Sequence, residues 1–186
     1  MSQMQARLAP EQLTAGVSGD GPLDQAIAEF AASVVRAKAV DPLTTELVRL
    51  RCAQVHDCRL CGTLRNQEAL DEGFSEELQQ KIARYESSDL QPRQIAALRL
   101  CDAMILTPSL ADTALRQELA RHFSAEQIAE IMLDVVKWSQ QKALVALRSE
   151  APPWTETNIL VFDEDGRPGF AGPAYPDDEA GDDQNA

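Results

Sequence analysis

Two cysteines three residues apart, Cys58 and Cys61, follow a carboxylate, Glu46, that lies twelve residues ahead of the first of them. Residues three apart on a helix share a face with Cβ atoms about 5–6 Å apart, so two sulfurs at this spacing can close into a disulfide. A thiol at a helix start loses its proton more readily than a free one, because the unpaired N–H groups there favour an anion. A thiolate of that kind, with a second thiol within reach, suits reaction with a peroxide O–O bond. The sulfenic acid so formed condenses with its neighbour to a disulfide. A carboxylate on the facing helix can accept and relay the proton. Other readings stay open. Glu46 reads equally as a solvated helix charge or as a partner of Arg65. Cys52, His56, Cys58 and Cys61 make a complete zinc donor set on paper, although Cys52 falls on an apolar helical face and no second Cys-x-x-Cys exists.

Helices must position these groups. Apolar residues at Leu23, Ile27, Phe30, Ala31, Val34 and Val35 follow a helical period. Asp41-Pro42 restarts the helix that carries Glu46, with Asp as the cap and Pro in the first turn. A turn at His56-Asp57 precedes the cysteine helix, for which Asp57 is the expected N-cap, and Gly73 ends it near Glu72. Ser75-Glu76-Glu77 opens a short helix, and Pro92 to Leu106 and Leu110 to Phe123 give two more. Ser124-Ala125-Glu126-Gln127 is a capping box for a long helix reaching about Arg148. Asn158 to Phe162 is the one candidate strand. A thioredoxin-like reading is disfavoured because no βαβ pattern surrounds the cysteines.

The Glu46-to-Cys58-x-x-Cys61 arrangement, with the run from Glu46 to Arg51 before it and the long helix after it, resembles the carboxymuconolactone decarboxylase family, in its alkylhydroperoxidase D (AhpD)-like branch. The resemblance covers about residues 23 to 148. It implies an all-α bundle of six to seven helices, with Cys61 as the peroxidatic cysteine, Cys58 as the resolving one and Glu46 as the relay carboxylate. It also implies self-association as a trimer or hexamer. The family pattern has histidines where this chain has Leu60 and Arg65. Arg65, expected one helical turn beyond Cys61, can steady a thiolate but stays protonated and shuttles nothing. His56 is the nearby imidazole that could substitute.

Composition bounds the rest. The 186 residues suffice for one domain, and four cysteines do not make a disulfide scaffold. A net charge of −13 argues against a nucleic-acid partner. Residues 151–186 hold nine acids, one base and half of the ten prolines, and are expected to form a flexible acidic tail. Residues 1–22 read as an arm and 23–150 as the domain. No apolar stretch long enough for a membrane span is present, and the first residues lack the apolar core of a signal peptide, so the expected address is cytoplasmic. The expected activity is thiol-dependent reduction of a hydroperoxide, with a thiol reductant as partner and no cofactor. The rivals are a lactone decarboxylase-type lyase on the same fold and a non-catalytic binding or assembly protein that has lost the relay.

Overall fold

The computed structural model describes residues 21–148 and 152–175. The expected arm lies outside them except for its last two residues, as do the last eleven residues of the tail. The helices are α1 (Pro22–Val35), α2 (Pro42–Val55), α3 (Arg59–Gly62), α4 (Gln67–Asp71), α5 (Glu76–Lys81), α6 (Pro92–Ile105), α7 (Thr113–His122) and α8 (Ala125–Arg148). Three short strands complete the described fold: β1 (Leu64–Asn66), β2 (Asn158–Phe162) and β3 (Pro168–Pro173).

α2 is the central post. Asp41 caps it, accepting from the Thr44 N–H at 2.9 Å, with Pro42 in its first turn. Its Val48 and Cys52 join α6, α7 and α8 in the main core through Ala97, Cys101, Leu115, Leu119, Ile131, Val135 and Trp138. Its Leu47 and Leu50 face the other way, into a second core with Ala69, Phe74, Ile82, Tyr85 and Leu98. Burial of each such leucine contributes about 1.5–3 kcal/mol. A helix surrounded on all sides is ordinarily apolar throughout, yet α2 also buries Glu46 and Arg49 completely. α8 starts from the expected capping box, with the Gln127 N–H donating to Ser124 Oγ and the Ser124 N–H to Gln127 Oε1.

Three expectations need correction. The cysteine helix does not run from 57 to 72. It is the single turn α3, closed by Thr63, whose hydroxyl donates to the Leu60 carbonyl. Leu64–Asn66 then extend, because they pair in parallel with β2, Leu64 opposite Asn158 and Asn66 opposite Leu160. Asp57 does not cap the cysteine helix. It ends α2 in the left-handed conformation, φ 48°, and Cys58 takes the cap position without a side-chain cap bond.

The third correction concerns the segment expected to hang free from residue 151. β2 pairs with β1 on one side and, antiparallel, with β3 on the other, Leu160 opposite Phe170. Trp154 donates its indole N–H to Thr63 Oγ1 at 2.9 Å and lies against Phe170. Asp163 closes the β2–β3 turn by accepting from the Asp165 and Arg167 N–H groups. The apolar residues of 158–162 outweigh the acids around them once β1 offers a partner edge. No helix among the described residues is long and apolar enough to cross a membrane.

Candidate functional site

The geometry of the dithiol follows from the turn that precedes it. With Asp57 left-handed, the Cys58 N–H reaches back to the Ala53 carbonyl at 2.9 Å, pinning the cysteines to the end of α2. Cys58 and Cys61 are joined as a disulfide with Cα atoms 5.3 Å apart. Both are buried, in a small cluster with Ala53 of α2 and Ala146 of α8, flanked by Leu60 and Val145. A cavity of about 310 Å³ opens on Cys58, lined by Leu50, Ala53, Gln54, Asp57, Gly62 and Gln79; Cys61 is not in its wall.

Glu46 meets neither Arg65 nor solvent. Its two carboxylate oxygens each accept from Arg49, Nε and Nη2 both at 2.6 Å, and Oε1 also accepts the Asn66 N–H. Arg49 in turn donates to the carbonyls of Cys61 and Leu64. Glu46 thus holds Arg49 as a bidentate pair, and Arg49 carries that order into the backbone on both sides of the break between α3 and β1.

Arg65 is not one helical turn beyond Cys61, because the helix has already ended. It is the middle residue of β1, almost fully buried, and its guanidinium donates to Glu76 and to the Gly62 and Leu64 carbonyls. Its charge is spent in tying β1 to α5. His56, at the end of α2, has Nε2 2.6 Å from Ser139 Oγ of α8. Burial holds its pKa below the usual imidazole value, and the nearby Lys142 charge adds to this. Leu60 is apolar packing.

The paper zinc set is not assembled. Cys52 lies 3.7 Å from Cys101 across the α2–α6 interface, while His56 and the cysteine pair are engaged elsewhere. Among the described residues no group of three or more His, Cys, Asp or Glu side chains could hold a metal ion. The Cys101 thiol is pushed far up by its hydrogen bond with Cys52 and by burial, so Cys101 stays protonated.

Several charged groups escaped the sequence reading. Arg49 stands three residues after Glu46, a spacing that pairs opposite charges on a helix and could have disclosed it. Lys137 and Lys142 are buried on the inner face of α8, both near the Trp138 ring. Burial drives both below the usual lysine value, to about 6 for Lys137 and about 7 for Lys142. The positive charges nearby, Lys142 and Arg49 for Lys137 and Arg49 for Lys142, push the same way. Asp134, on the same helix, is pushed up to about 8 by burial and then by Glu130. The signal was available, since 131, 134, 135, 138, 142 and 146 make one helical stripe that includes an acid and a lysine.

With that geometry in place, the chain compares with known proteins as follows. No protein-family model matches it. Over 124 residues, 66% of the chain, it is 41% identical to the uncharacterized protein Rv2313c of Mycobacterium tuberculosis, a stretch that makes up 44% of the relative. Over 93 residues, 50% of the chain, it is 30% identical to the uncharacterized protein YnjA of Escherichia coli, covering 51% of it. The chain thus spans about half the length of these curated relatives. A crystal structure from Agrobacterium tumefaciens, of a protein of unknown function described as a candidate antioxidant defence protein AhpD, superposes with a TM-score of 0.63. It is 17% identical, and the match covers 81% of this chain and 100% of that one. At that identity the likeness is one of fold. The helical body has the AhpD-like helical fold.

Proposed function

We propose that this protein is a thiol-dependent, peroxidase-like oxidoreductase that reduces hydroperoxides through Cys61 and Cys58. The observation that carries this reading is the disulfide itself. Two cysteines on one helical turn, held by the Glu46–Arg49 pair through the Cys61 carbonyl, reach bonding distance while one of them borders a cavity. Cys61 attacks the peroxide and Cys58 resolves the sulfenic acid. In the oxidised form the cavity presents Cys58 to an external thiol, which displaces Cys61 as the thiolate and leaves a mixed disulfide on Cys58; a second thiol then releases Cys58 and restores the site. The AhpD-like fold and the antioxidant description of the Agrobacterium protein support the reading.

A trapping experiment tests it. Prereduced Cys58→Ser exposed to hydrogen peroxide in the presence of dimedone is expected to carry the label on Cys61. Prereduced Cys61→Ser is expected to carry little on Cys58. Equal labelling of the two removes the role assignment, and no labelling in either removes the peroxidase reading.

One observation favours a rival. Arg65 is committed to β1 and α5, and Leu60 to packing, so neither of the positions where the related pattern has histidines offers a proton carrier. A non-catalytic dithiol protein would look like this. It is separated by the same experiment, since it gives no sulfenic acid on either cysteine.

A further inference from the structure

One face of α8 covers the dithiol site. Ser139, Lys142, Val145 and Ala146 follow one another at spacings that share a helix face. Ser139 bonds His56, two residues before Cys58. Ala146 and Val145 pack with Cys58 and Cys61. Lys142 lies between those two anchor points and is 2% exposed. Among the described residues no hydrogen bond or ion pair engages its ammonium. What it meets is the Trp138 ring, 4.5 Å away. A buried lysine without a counter-ion is costly, and it is kept cheaply only if it can shed its proton.

We propose that Lys142 is the proton relay of the Cys58–Cys61 pair, a role that neither Leu60 nor Arg65 can fill; this rests on the peroxidase reading given above. The charged and titratable groups facing it are Glu46, Arg49, Cys52 and His56 from α2 and Lys137 on its own helix, and Ala146, one turn further along α8, packs with Cys58 and Cys61. Arg49 outweighs its partner Glu46 at Lys142, so no net negative charge there holds the ammonium. The thiolate of a reduced Cys61 supplies one. A lysine brought to about 7 by burial and by Arg49 exchanges its proton near neutrality.

The steps balance. Neutral Lys142 takes the Cys61 thiol proton. The thiolate attacks a peroxide oxygen, so that an S–O bond forms as O–O breaks; sulfur loses two electrons and the peroxide gains them. The departing alkoxide takes the Lys142 proton and leaves as alcohol. Lys142 then takes the Cys58 proton, the S–S bond forms, and the hydroxide leaving the sulfenic acid receives that proton as water.

Two readouts on full-length, prereduced protein test the proposal: the pH profile of Cys61 alkylation, which needs no peroxide, and the rate of hydroperoxide-driven disulfide formation. Lys142→Met is expected to move the Cys61 ionisation midpoint upward and to slow disulfide formation by about 10²-fold or more, the usual contribution of a positioned acid–base group. Lys142→Arg is expected to keep the midpoint low yet lose the rate, because guanidinium holds its proton. An unchanged midpoint in Lys142→Met, or a full rate in Lys142→Arg, overturns the proposal. If Lys142→Met does not fold, Lys142→Arg decides alone. A wild type inert to hydroperoxide whose Cys61 midpoint still moves in Lys142→Met defeats the peroxidase reading and leaves the proton coupling standing.

Discussion

Arg65 illustrates how a side chain's surroundings, more than its type, decide its part. In sequence it occupies a position where the related pattern has a histidine, and Arg65→His would be the natural way to restore a relay. In the fold its guanidinium is almost wholly buried and satisfies Glu76 and two carbonyls. Charge-assisted bonds of this kind contribute more than neutral ones, although Glu76 is partly exposed and its share is screened. Arg65→His is therefore expected to cost about 2 kcal/mol, or roughly 4–8 °C in Tm for a domain of this size. It is not expected to raise the hydroperoxide rate. Thermal unfolding beside a single-turnover rate checks both halves, and a faster, equally stable variant would return Arg65 to the site.

The same scale explains what the sequence did not disclose. Glu46, Cys58 and Cys61 were readable because their spacing carries the chemistry. Lys142 was not, because a lysine on a helix reads as solvated until the elements covering it are known. Leu64 to Asn66 read as helix because their strand partner is Asn158 to Leu160, far along the chain, and local propensity cannot anticipate such a pairing. Helix starts were readable where a cap was written out locally, at Asp41-Pro42 and Ser124-x-x-Gln127.

Among the elements, α8 carries the unusual load. Its Asp134 borders a cavity of about 400 Å³ between α1, α2 and α8, and its carboxyl is raised to about 8. The folded chain therefore keeps a proton that the unfolded chain releases above about pH 4. This group's contribution to stability is full below that pH and falls away as pH climbs through about 8. Asp134→Asn removes the dependence. Its Tm relative to wild type is expected to gain between pH 5 and pH 8, by several degrees. Lys137 and Lys142 carry the opposite slope, but both proteins share them. A Tm difference that stays flat across this range would mean that Asp134 is ionised in the fold.

The β2–β3 turn is the second test at this scale. Gly166 has φ 76°, and a Cβ there would meet the Ala32 Cα of α1 at 2.8 Å. Gly73 has a similar φ of 87° with open space around it. Gly73→Ala is expected to cost about 1 kcal/mol for the backbone alone. Gly166→Ala should cost at least about 2 kcal/mol, since it also forces the turn away from α1. Equal losses in urea unfolding would show that the sheet does not bear on α1.

At the scale of the whole molecule, α8 leaves an apolar face uncovered. Met132, Leu133 and Val136 are 43%, 49% and 47% exposed and adjoin one another along the helix. The proposed occupant is a second copy of the chain, as the expected self-association requires. Wild type is expected to run above the single-chain mass in light scattering, and Leu133→Glu with Val136→Lys to run at it, with helicity retained. A wild type that is already a single chain would remove the assembly.

In the proposed reaction electrons pass from the two thiols to an O–O bond. The most direct measurement is stoichiometric. Prereduced protein, freed of reductant, is mixed with cumene hydroperoxide, and the alcohol formed is counted against the thiols lost. One alcohol is expected for every two thiols lost, the loss mapping to Cys58 and Cys61 and absent in Cys61→Ser. Survival of the Cys58 and Cys61 thiols, or thiols lost without alcohol appearing, would contradict this.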